Sequence, residues 1–383
     1  MSLIRFLIPV VGVLLSVPLA FLALLLIFEA QTVAGRVFGI AVVLLVLGGL
    51  TASLSVVNVY RRRRRHLWRL VFFYVVCALL LLAASYGVSP GGAGVQNGRL
   101  RSEWTGLVGH QRWAPANLVP EVDQLRLGGW LMPYLDEKIT PGEAESLVVA
   151  LSGLCRELQG DREFQEMGSA LDEAYRDMAG VQRAGEGGHL FAYVPEVEEG
   201  KKVPVLVFLH GRPGNLKAGI WGWKKAAERR GFAVVAPTAG VGTWEGESGR
   251  KAVQRALDYC KTREDIDEER LVMVGLDSGA IGCLEALAEF GDQIGDVAFV
   301  SALVGRGGLG GEGVVEGERG RRLLFIHGDN DLRIPLSLLQ MEVGELRRKG
   351  VQVTLQSFQA GGHGVFWTQN EETVEAIINW LRL

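Results

Sequence analysis

Three residues that could do chemistry together each follow an apolar run of the sequence. Asp277 comes directly after LVMVGL, Asp331 follows LLFI, and His363 lies in the glycine-rich segment AGGHG. A carboxylate is already ionised at neutral pH and can attack carbon without a base to activate it. A histidine can act as a general base. The three side chains therefore suit nucleophilic and acid–base chemistry.

The spacing around Asp277 indicates a tight turn between a strand and a helix. Gly275 and Gly279 stand two residues before and after it, where small residues let the two elements approach closely. Ser278 is the neighbouring alternative as a nucleophile, but larger residues would then occupy both flanking positions. The pattern therefore favours Asp277 at the tip of the turn.

The elements that must position these residues begin at His189. From there, short apolar strands alternate with helical segments, which favours a mostly parallel sheet with helices on both faces. The predicted strands are Leu190–Val194, Val203–Leu209, Phe232–Ala236, Leu271–Leu276, Val297–Leu303, Leu323–Ile326 and Val353–Phe358. Open sheets of this class place their sites at the carboxyl ends of the strands, where the three residues stand.

These loops, and their order along the chain, resemble the α/β-hydrolase superfamily, and within it the esterase, dienelactone-hydrolase and prolyl-oligopeptidase-like branch. The resemblance covers the chain from Leu190 onward. It implies the α/β-hydrolase fold, with Asp331 as the acid that orients the histidine and His363 as the general base. The family pattern has serine at the position of Asp277, which is the main departure.

The resemblance also implies residues for substrate binding. The oxyanion donors are expected at the backbone N–H groups of Arg212, after Gly211, and of Ser278. The Arg212 side chain either attracts a substrate carboxylate or faces solvent. Trp244 either walls the pocket or packs in the interior. His210 is expected to be a structural histidine of the loop.

Three functions remain open at this point. The first is a hydrolase of ester-like or related small substrates, and the second is a non-catalytic module that binds a ligand or partner in the same pocket. The third is an epoxide hydrolase or haloalkane dehalogenase, since proteins of those families resemble this chain in using an aspartate like Asp277. Against the third, Ser278 replaces a common tryptophan, and Gly305–Gly320 is too short for a cap domain.

The first 88 residues predict a membrane anchor. Phe6–Phe28, Val37–Tyr60 and Leu70–Tyr86 are apolar runs without charged residues, each long enough to cross a hydrocarbon core of about 30 Å. A cleaved signal peptide is the alternative for the first run. We expect an uncleaved anchor, because the run is longer than a usual signal-peptide core. A lipid bilayer is thus a predicted partner.

The basic residues predict the orientation of this anchor. Arg61–Arg65, His66 and Arg69 form a dense loop between the second and third runs, and such loops stay in the cytoplasm. The chain after Tyr86 is then extracytoplasmic. An anionic-lipid or nucleic-acid patch is the alternative for the arginines. Residues 89–383 contain 32 basic and 42 acidic residues, which argues against a nucleic-acid partner.

The remaining chain is predicted to contain a flexible linker at residues 89–100, a mainly helical segment at 101–188 that packs on the next domain, and the hydrolase domain at 189–383. Thr140, Pro141 and Glu143 predict a helix start. A second helix is predicted around Phe164–Met178. The four cysteines have no metal-site spacing, and buried thiols are expected, with a Cys260–Cys283 disulfide as the alternative. The sequence predicts a small-molecule substrate and no cofactor.

Overall fold

The computed structural model describes the chain apart from residues 1–2, 58–60, 93, 96–97, 107–108, 136, 182–186 and 306–319. The chain forms two compact units. The first unit comprises residues 1–90 and 112–131, and the second comprises 91–111 and 132–383. Within the segment 101–188, which was predicted to be mainly helical, residues 112–131 belong to the first unit and the others to the second.

Three long helices build most of the first unit. They are α1 (Leu3–Glu29), α2 (Val33–Val57) and α3 (Arg61–Val88). Each is long and apolar enough to cross a membrane. Many large apolar side chains on these helices are exposed, Leu14 and Phe72 among them, as expected of a surface that lipid covers. The predicted basic loop is corrected: the arginines begin helix α3, in keeping with the high helix propensity of arginine.

Residues 112–131 attach to the ends of these helices. They contain the short helix α4 (Pro115–Leu118) and most of α5 (Glu121–Leu135). The buried Asp123 carboxylate accepts hydrogen bonds from the Thr32 N–H, at 3.3 Å, and the Thr32 hydroxyl, at 2.5 Å, just before α2 begins. The Arg112 guanidinium donates to the Tyr86 carbonyl oxygen at 3.1 Å and lies over the Tyr86 ring near the end of α3. These contacts satisfy polar groups at helix ends.

An eight-stranded sheet forms the centre of the second unit. Its strands are β1 (Leu100–Gly106), β2 (Gly187–Tyr193), β3 (Val203–Leu209), β4 (Ala233–Pro237), β5 (Ile266–Leu276), β6 (Val297–Val300), β7 (Arg322–Gly328) and β8 (Gln352–Phe358). Their order is β1-β2-β4-β3-β5-β6-β7-β8. The pairs β1/β2 and β2/β4 are antiparallel, and the others are parallel. The predicted α/β-hydrolase fold is confirmed.

Helices accompany this sheet. They are α6 (Pro141–Leu158), α7 (Arg162–Glu166), α8 (Leu171–Met178), α9 (Lys217–Arg230), α10 (Gly246–Thr262), α11 (Gly279–Phe290), α12 (Leu336–Arg348), α13 (Val365–Thr368) and α14 (Asn370–Leu381), with a 3₁₀ turn at Gly291–Gln293. Every residue of β3 and β4 is buried, which explains why these strands are continuous apolar runs. The predicted helix start is confirmed, because the Thr140 hydroxyl accepts from the Glu143 N–H at 3.2 Å.

Two elements differ from the prediction. A single helix was expected around Phe164–Met178, but the chain is extended at Met167, where α7 ends. Gly168 lies against the His110 ring, and a Cβ there would come within 2.4 Å of its Nδ1. Strand β6 ends at Val300, not at Leu303, since Ser301 turns the chain with a φ of 53°.

Candidate active site

Asp277 occupies a strained turn between β5 and α11. Its φ is 49°, in the left-handed region that Asp tolerates better than most residues. A Cβ at Gly279 would lie 2.1 Å from the Leu209 carbonyl oxygen, and one at Gly275 would lie 2.7 Å from the Ala280 nitrogen. Both glycines are therefore needed for the close approach of strand and helix, and Asp277 is presented at the tip of the turn.

The structure brings Asp277, His363 and Asp331 together. His363 Nδ1 lies 2.8 Å from Asp331 Oδ2, and His363 Nε2 lies 3.4 Å from Asp277 Oδ1. The other oxygen of Asp331 accepts hydrogen bonds from the N–H groups of Arg333, at 2.8 Å, and Ile334, at 2.9 Å. The backbone thus fixes Asp331, and Asp331 in turn orients the imidazole ring toward Asp277.

Burial and neighbouring charges act in opposite directions on these side chains. Burial alone would lower the pKa of His363, but its contacts with Asp277 and Asp331 raise that pKa to about 9. Burial would raise the pKa of each carboxyl, yet the hydrogen bond and charge of His363 outweigh it, so both carboxyl pKa values lie below the ordinary range. At neutral pH the site therefore holds an imidazolium between two carboxylates.

The expected oxyanion donors face the Asp277 carboxylate. The Arg212 nitrogen lies 3.5 Å from Asp277 Oδ2, a long hydrogen bond, and the Ser278 N–H also stabilises this carboxylate. A side chain at Gly211 would lie 2.9 Å from the Cβ of Asp277, so only glycine lets this loop come so close. The side chain of Arg212 is exposed. Asp277 Oδ2 thus occupies the place at which an oxyanion would be stabilised.

The Ser278 hydroxyl and the Trp244 ring both lie in the interior of the second unit. Ser278 Oγ is buried and has no hydrogen-bond partner among the described residues, and it faces Gly242. Trp244 is fully buried, and its Nε1–H donates to the His210 carbonyl oxygen at 2.8 Å. Of the two places considered for Trp244, the structure has the ring packed in the interior, where it supports the loop that carries the backbone donors.

His210 has the structural role predicted for it. Its Nδ1 lies 2.8 Å from the Gly211 carbonyl oxygen, and its Nε2 accepts from the Ala239 N–H at 3.1 Å. Burial lowers the pKa of His210 to about 4. A neutral imidazole that already bonds through both nitrogens is not available for proton transfer, which leaves His363 as the histidine of the site.

Glu143 is a site residue that the sequence analysis recognised only as part of a helix start. Its Oε1 accepts a hydrogen bond from the His363 N–H at 3.1 Å, across 220 residues of chain. One turn later on α6, Leu147 packs against Gly364, where a Cβ would come within 2.1 Å of it. Helix α6 therefore holds the loop of His363 in place.

The described residues contain no group of three or more His, Cys, Asp or Glu side chains that could hold a metal ion. The cysteines are free thiols. Burial raises the pKa of Cys260 to about 12 and also raises that of Cys283. Because the thiolate is the reactive form, neither of these two thiols is suited to act as a nucleophile.

The chain is similar over about half of its length to several solved structures. No family model and no curated protein matches it. Among solved structures, it is similar to a thermostable esterase (22% identity, TM-score 0.43, covering 51% of this chain and 58% of the esterase). It is also similar to an acylaminoacyl peptidase of Pyrococcus horikoshii, with 18% identity and a TM-score of 0.43. This match covers 52% of this chain and 40% of the peptidase. A fluorophosphonate-binding serine hydrolase of Staphylococcus aureus is a third example, with 16% identity and a TM-score of 0.44. This match covers 52% of this chain and 93% of that hydrolase.

Proposed function

We propose that this protein is a membrane-anchored hydrolase of small substrates in which Asp277 is the nucleophile. The observation that carries the proposal is the line of Asp277, His363 and Asp331, with contacts of 3.4 and 2.8 Å, on a turn that exposes Asp277 at its tip. His363 then activates water, and Asp331 holds and charges the ring. Arg212 and Ser278 supply backbone donors to the reacting carboxyl group.

The chemistry of a carboxylate favours a substrate with a leaving group on a saturated carbon, such as an epoxide or an alkyl halide. Attack of Asp277 on the acyl carbon of an ester would give an anhydride, and its remaining charge would oppose a developing oxyanion. Attack on saturated carbon gives a neutral ester of Asp277. Ester-like substrates, the first expectation from the fold, are therefore the poorer fit to the site.

Two steps complete the reaction. In the first, an Asp277 oxygen forms a bond to the substrate carbon while the bond to the leaving group breaks. An epoxide oxygen takes the proton of the charged His363, whereas a halide leaves as an anion and His363 gives its proton to solvent before the second step. In the second, His363 takes a proton from water, and the hydroxide attacks the Cγ of Asp277. The alcohol leaves, and the Asp277 carboxylate and the His363 imidazolium are restored, so the protons balance.

Electrostatics couples the two steps. His363 is protonated in the resting site because it lies between two carboxylates, which raise its pKa to about 9. Alkylation neutralises Asp277 and leaves only Asp331, so the pKa of His363 falls just when a base is needed. The Arg212 N–H already faces Asp277 Oδ2, and the Ser278 N–H also stabilises the Asp277 carboxylate. Oδ2 becomes the carbonyl oxygen of the ester and then the oxyanion of the second step.

The covalent intermediate provides the test. Full-length His363→Ala protein is incubated with epoxides, haloalkanes and short-chain aryl esters, and peptides containing Asp277 are analysed by mass spectrometry. We expect an alkyl adduct on Asp277 with the haloalkanes, because a halide leaves without a proton and the second step needs the base. With the epoxides the adduct should form more slowly, because His363 also supplies the proton of the first step. In ¹⁸O-water, the parent should gain ¹⁸O in the Asp277 carboxyl group during turnover. Turnover without label or adduct on Asp277 would exclude it as the nucleophile.

A non-catalytic binding module is the second candidate, and one observation favours it. The Asp277 carboxylate already accepts from the backbone donors of Arg212 and Ser278, so these donors have a partner within the chain. Asp277→Ser distinguishes the two proposals, since serine would restore the family pattern. Aryl-ester hydrolysis by Asp277→Ser alone, with a parent that turns over none of the three classes, would favour a chain that has lost catalysis.

We also propose that the second unit is extracytoplasmic. The arginines at the start of α3 support this orientation, because positively charged segments flanking membrane spans stay in the cytoplasm. A C-terminal alkaline phosphatase fusion should then be active in a bacterial host, and a C-terminal green fluorescent protein fusion should be dark. The opposite result would reverse the orientation.

A further inference from the structure

One face of helix α3 combines positive charge with aromatic rings. Arg64, Arg65, Trp68, Arg69 and Phe72 line a surface cavity of about 580 Å³, and their spacing puts them on neighbouring turns of the same side of the helix. All five side chains are exposed. We call these five residues the basic face.

The stretch of sequence that carries this face contains no acidic residue. Between Glu29 and Glu103 there is no Asp or Glu at all, while six arginines stand within Arg61–Arg69. Glu29 ends helix α1 and pairs with Arg126 at 2.9 Å. Several guanidinium groups close together at the start of a helix repel one another and the helix dipole. Bound anions would relieve this cost.

The aromatic residues indicate which kind of anion. Trp68 is 46% exposed and Phe72 is 71% exposed, and both rings continue from the arginines toward the apolar part of α3. Tryptophan prefers the boundary between headgroups and hydrocarbon, and guanidinium groups bind phosphate oxygens in pairs. A ligand that fits the whole face has a phosphate at one end and acyl chains at the other.

We propose that the basic face binds the headgroup phosphate of an anionic phospholipid, with the acyl chains beside Trp68 and Phe72. This inference rests on the proposed membrane anchoring and is independent of the reaction at Asp277. A nucleic acid would also bind arginines, but the face leads directly into an apolar helix surface that offers nothing to a second phosphate. The lipid is therefore the ligand that the whole surface favours.

Quenching of Trp68 fluorescence tests the proposal. The full-length protein is reconstituted into mixed vesicles of phosphatidylcholine and phosphatidylglycerol in which only one lipid carries brominated chains. The signal of Trp68 is the difference between the parent and Trp68→Phe. At equal mole fractions, we expect brominated phosphatidylglycerol to behave as if enriched about fivefold or more beside Trp68, since each arginine attracts anionic lipid appreciably.

Variants separate a specific face from general charge. Arg64→Gln/Arg65→Gln/Arg69→Gln should quench equally with either brominated lipid. The control Arg347→Gln/Arg348→Gln/Arg382→Gln removes as much charge from exposed sites of the second unit and should keep the preference. Equal quenching in the parent, or a preference that survives in the first variant, would overturn the proposal. Tight binding of a short RNA to protein in phosphatidylcholine vesicles, without lipid enrichment, would assign the face to nucleic acid.

Discussion

Two histidines in the second unit, the buried His189 and the mostly buried His363, show how different partners set opposite charges. His189 Nε2 lies 2.9 Å from the Ser102 hydroxyl, and its Nδ1 lies 2.9 Å from the Thr238 hydroxyl. Burial, aided by the charge of Arg255, lowers the pKa of His189 to about 3. The pKa of His363, which lies between two carboxylates, is about 9. Burial is common to both rings, so the partners decide which ring is charged at neutral pH.

The backbones of the two histidines are held in the same way. The His189 N–H donates to the Glu173 carboxylate at 3.0 Å, as the His363 N–H does to Glu143 at 3.1 Å. In both cases the glutamate comes from the helical segment before the parallel strands. The difference between the rings therefore arises from their side-chain partners and not from how their strands or loops are anchored.

Of the changes to the partners of His363, removal of the Asp331 charge should have the largest effect. Asp331→Asn keeps an oxygen for the backbone N–H groups but removes the charge beside His363. We expect the free energy of unfolding at neutral pH to fall by about 3 kcal/mol, because one partner of a buried pair is lost. Chemical denaturation of the full-length protein in detergent measures it. Asp329→Asn, an exposed neighbour on the same loop, is the control, and equal stability of the two variants would contradict the role given to Asp331.

Removing Asp277 should have a smaller effect on the same ring. In Asp277→Asn the pKa of His363 should fall by about one unit, because this contact is longer, at 3.4 Å, and the Asp277 side chain is 25% exposed. Asparagine also tolerates the positive φ. NMR titration of ¹³C-labelled histidines measures the shift, and His189 serves as the internal control. A His363 pKa unchanged from the parent would show that the two side chains do not interact.

The pH dependence of stability should also distinguish His363 from His189. The raised pKa of His363 contributes stability that is complete below its ordinary pKa of about 6.5 and is lost as pH rises through about 9. The lowered pKa values of Asp277 and Asp331 contribute stability that is lost in acid. His189 also destabilises the fold in acid, since it stays neutral while the unfolded chain gains a proton.

Thermal unfolding between pH 5 and about 10 tests this expectation. The parent should lose stability on the alkaline side, and His363→Gln should lose much of that slope. His189→Gln should keep it. An alkaline slope that is the same in His363→Gln as in the parent would mean that His363 is neutral in the folded protein.

The smallest effect is expected from the hydrogen bond between α6 and the histidine loop. Glu143→Ala should lower the free energy of unfolding by about 1 kcal/mol and broaden the NMR signal of His363, because the loop loses its acceptor. Glu143→Gln keeps an oxygen and should restore both properties. Glu145→Ala, exposed on the same helix, is the control. A sharp and unshifted His363 signal in Glu143→Ala would show that α6 does not position the loop.

Most of the parallel sheet could be predicted because its strands are apolar on both faces. Strand β3, Val203–Leu209, was predicted with its observed bounds. Strand β1 was missed, because Leu100–Gly106 reads LRSEWTG and has a neighbour on one side only, β2. An edge strand that is partly exposed carries little of the apolar pattern by which the other strands were recognised.

The candidate site was predicted in part for a similar reason. Asp277, Asp331 and His363 each follow a strand, so the sheet places them at one edge whatever the details of packing. The contact of Glu143 with His363 joins residues 220 positions apart, and no local pattern reports it. The burial of Trp244 depends on how a loop folds beneath its neighbours, which spacing alone does not determine.

The positive φ at position 277 has a consequence for the history of this chain. Serine and aspartate codons differ by more than one base, and the single-base routes between the AGY codons of serine and the GAY codons of aspartate pass through glycine or asparagine. Both of these residues accept the left-handed backbone measured at this turn. Each single-base step between these serine and aspartate codons therefore leaves a residue that the turn accepts, so the fold does not oppose an exchange of the two residues at this position.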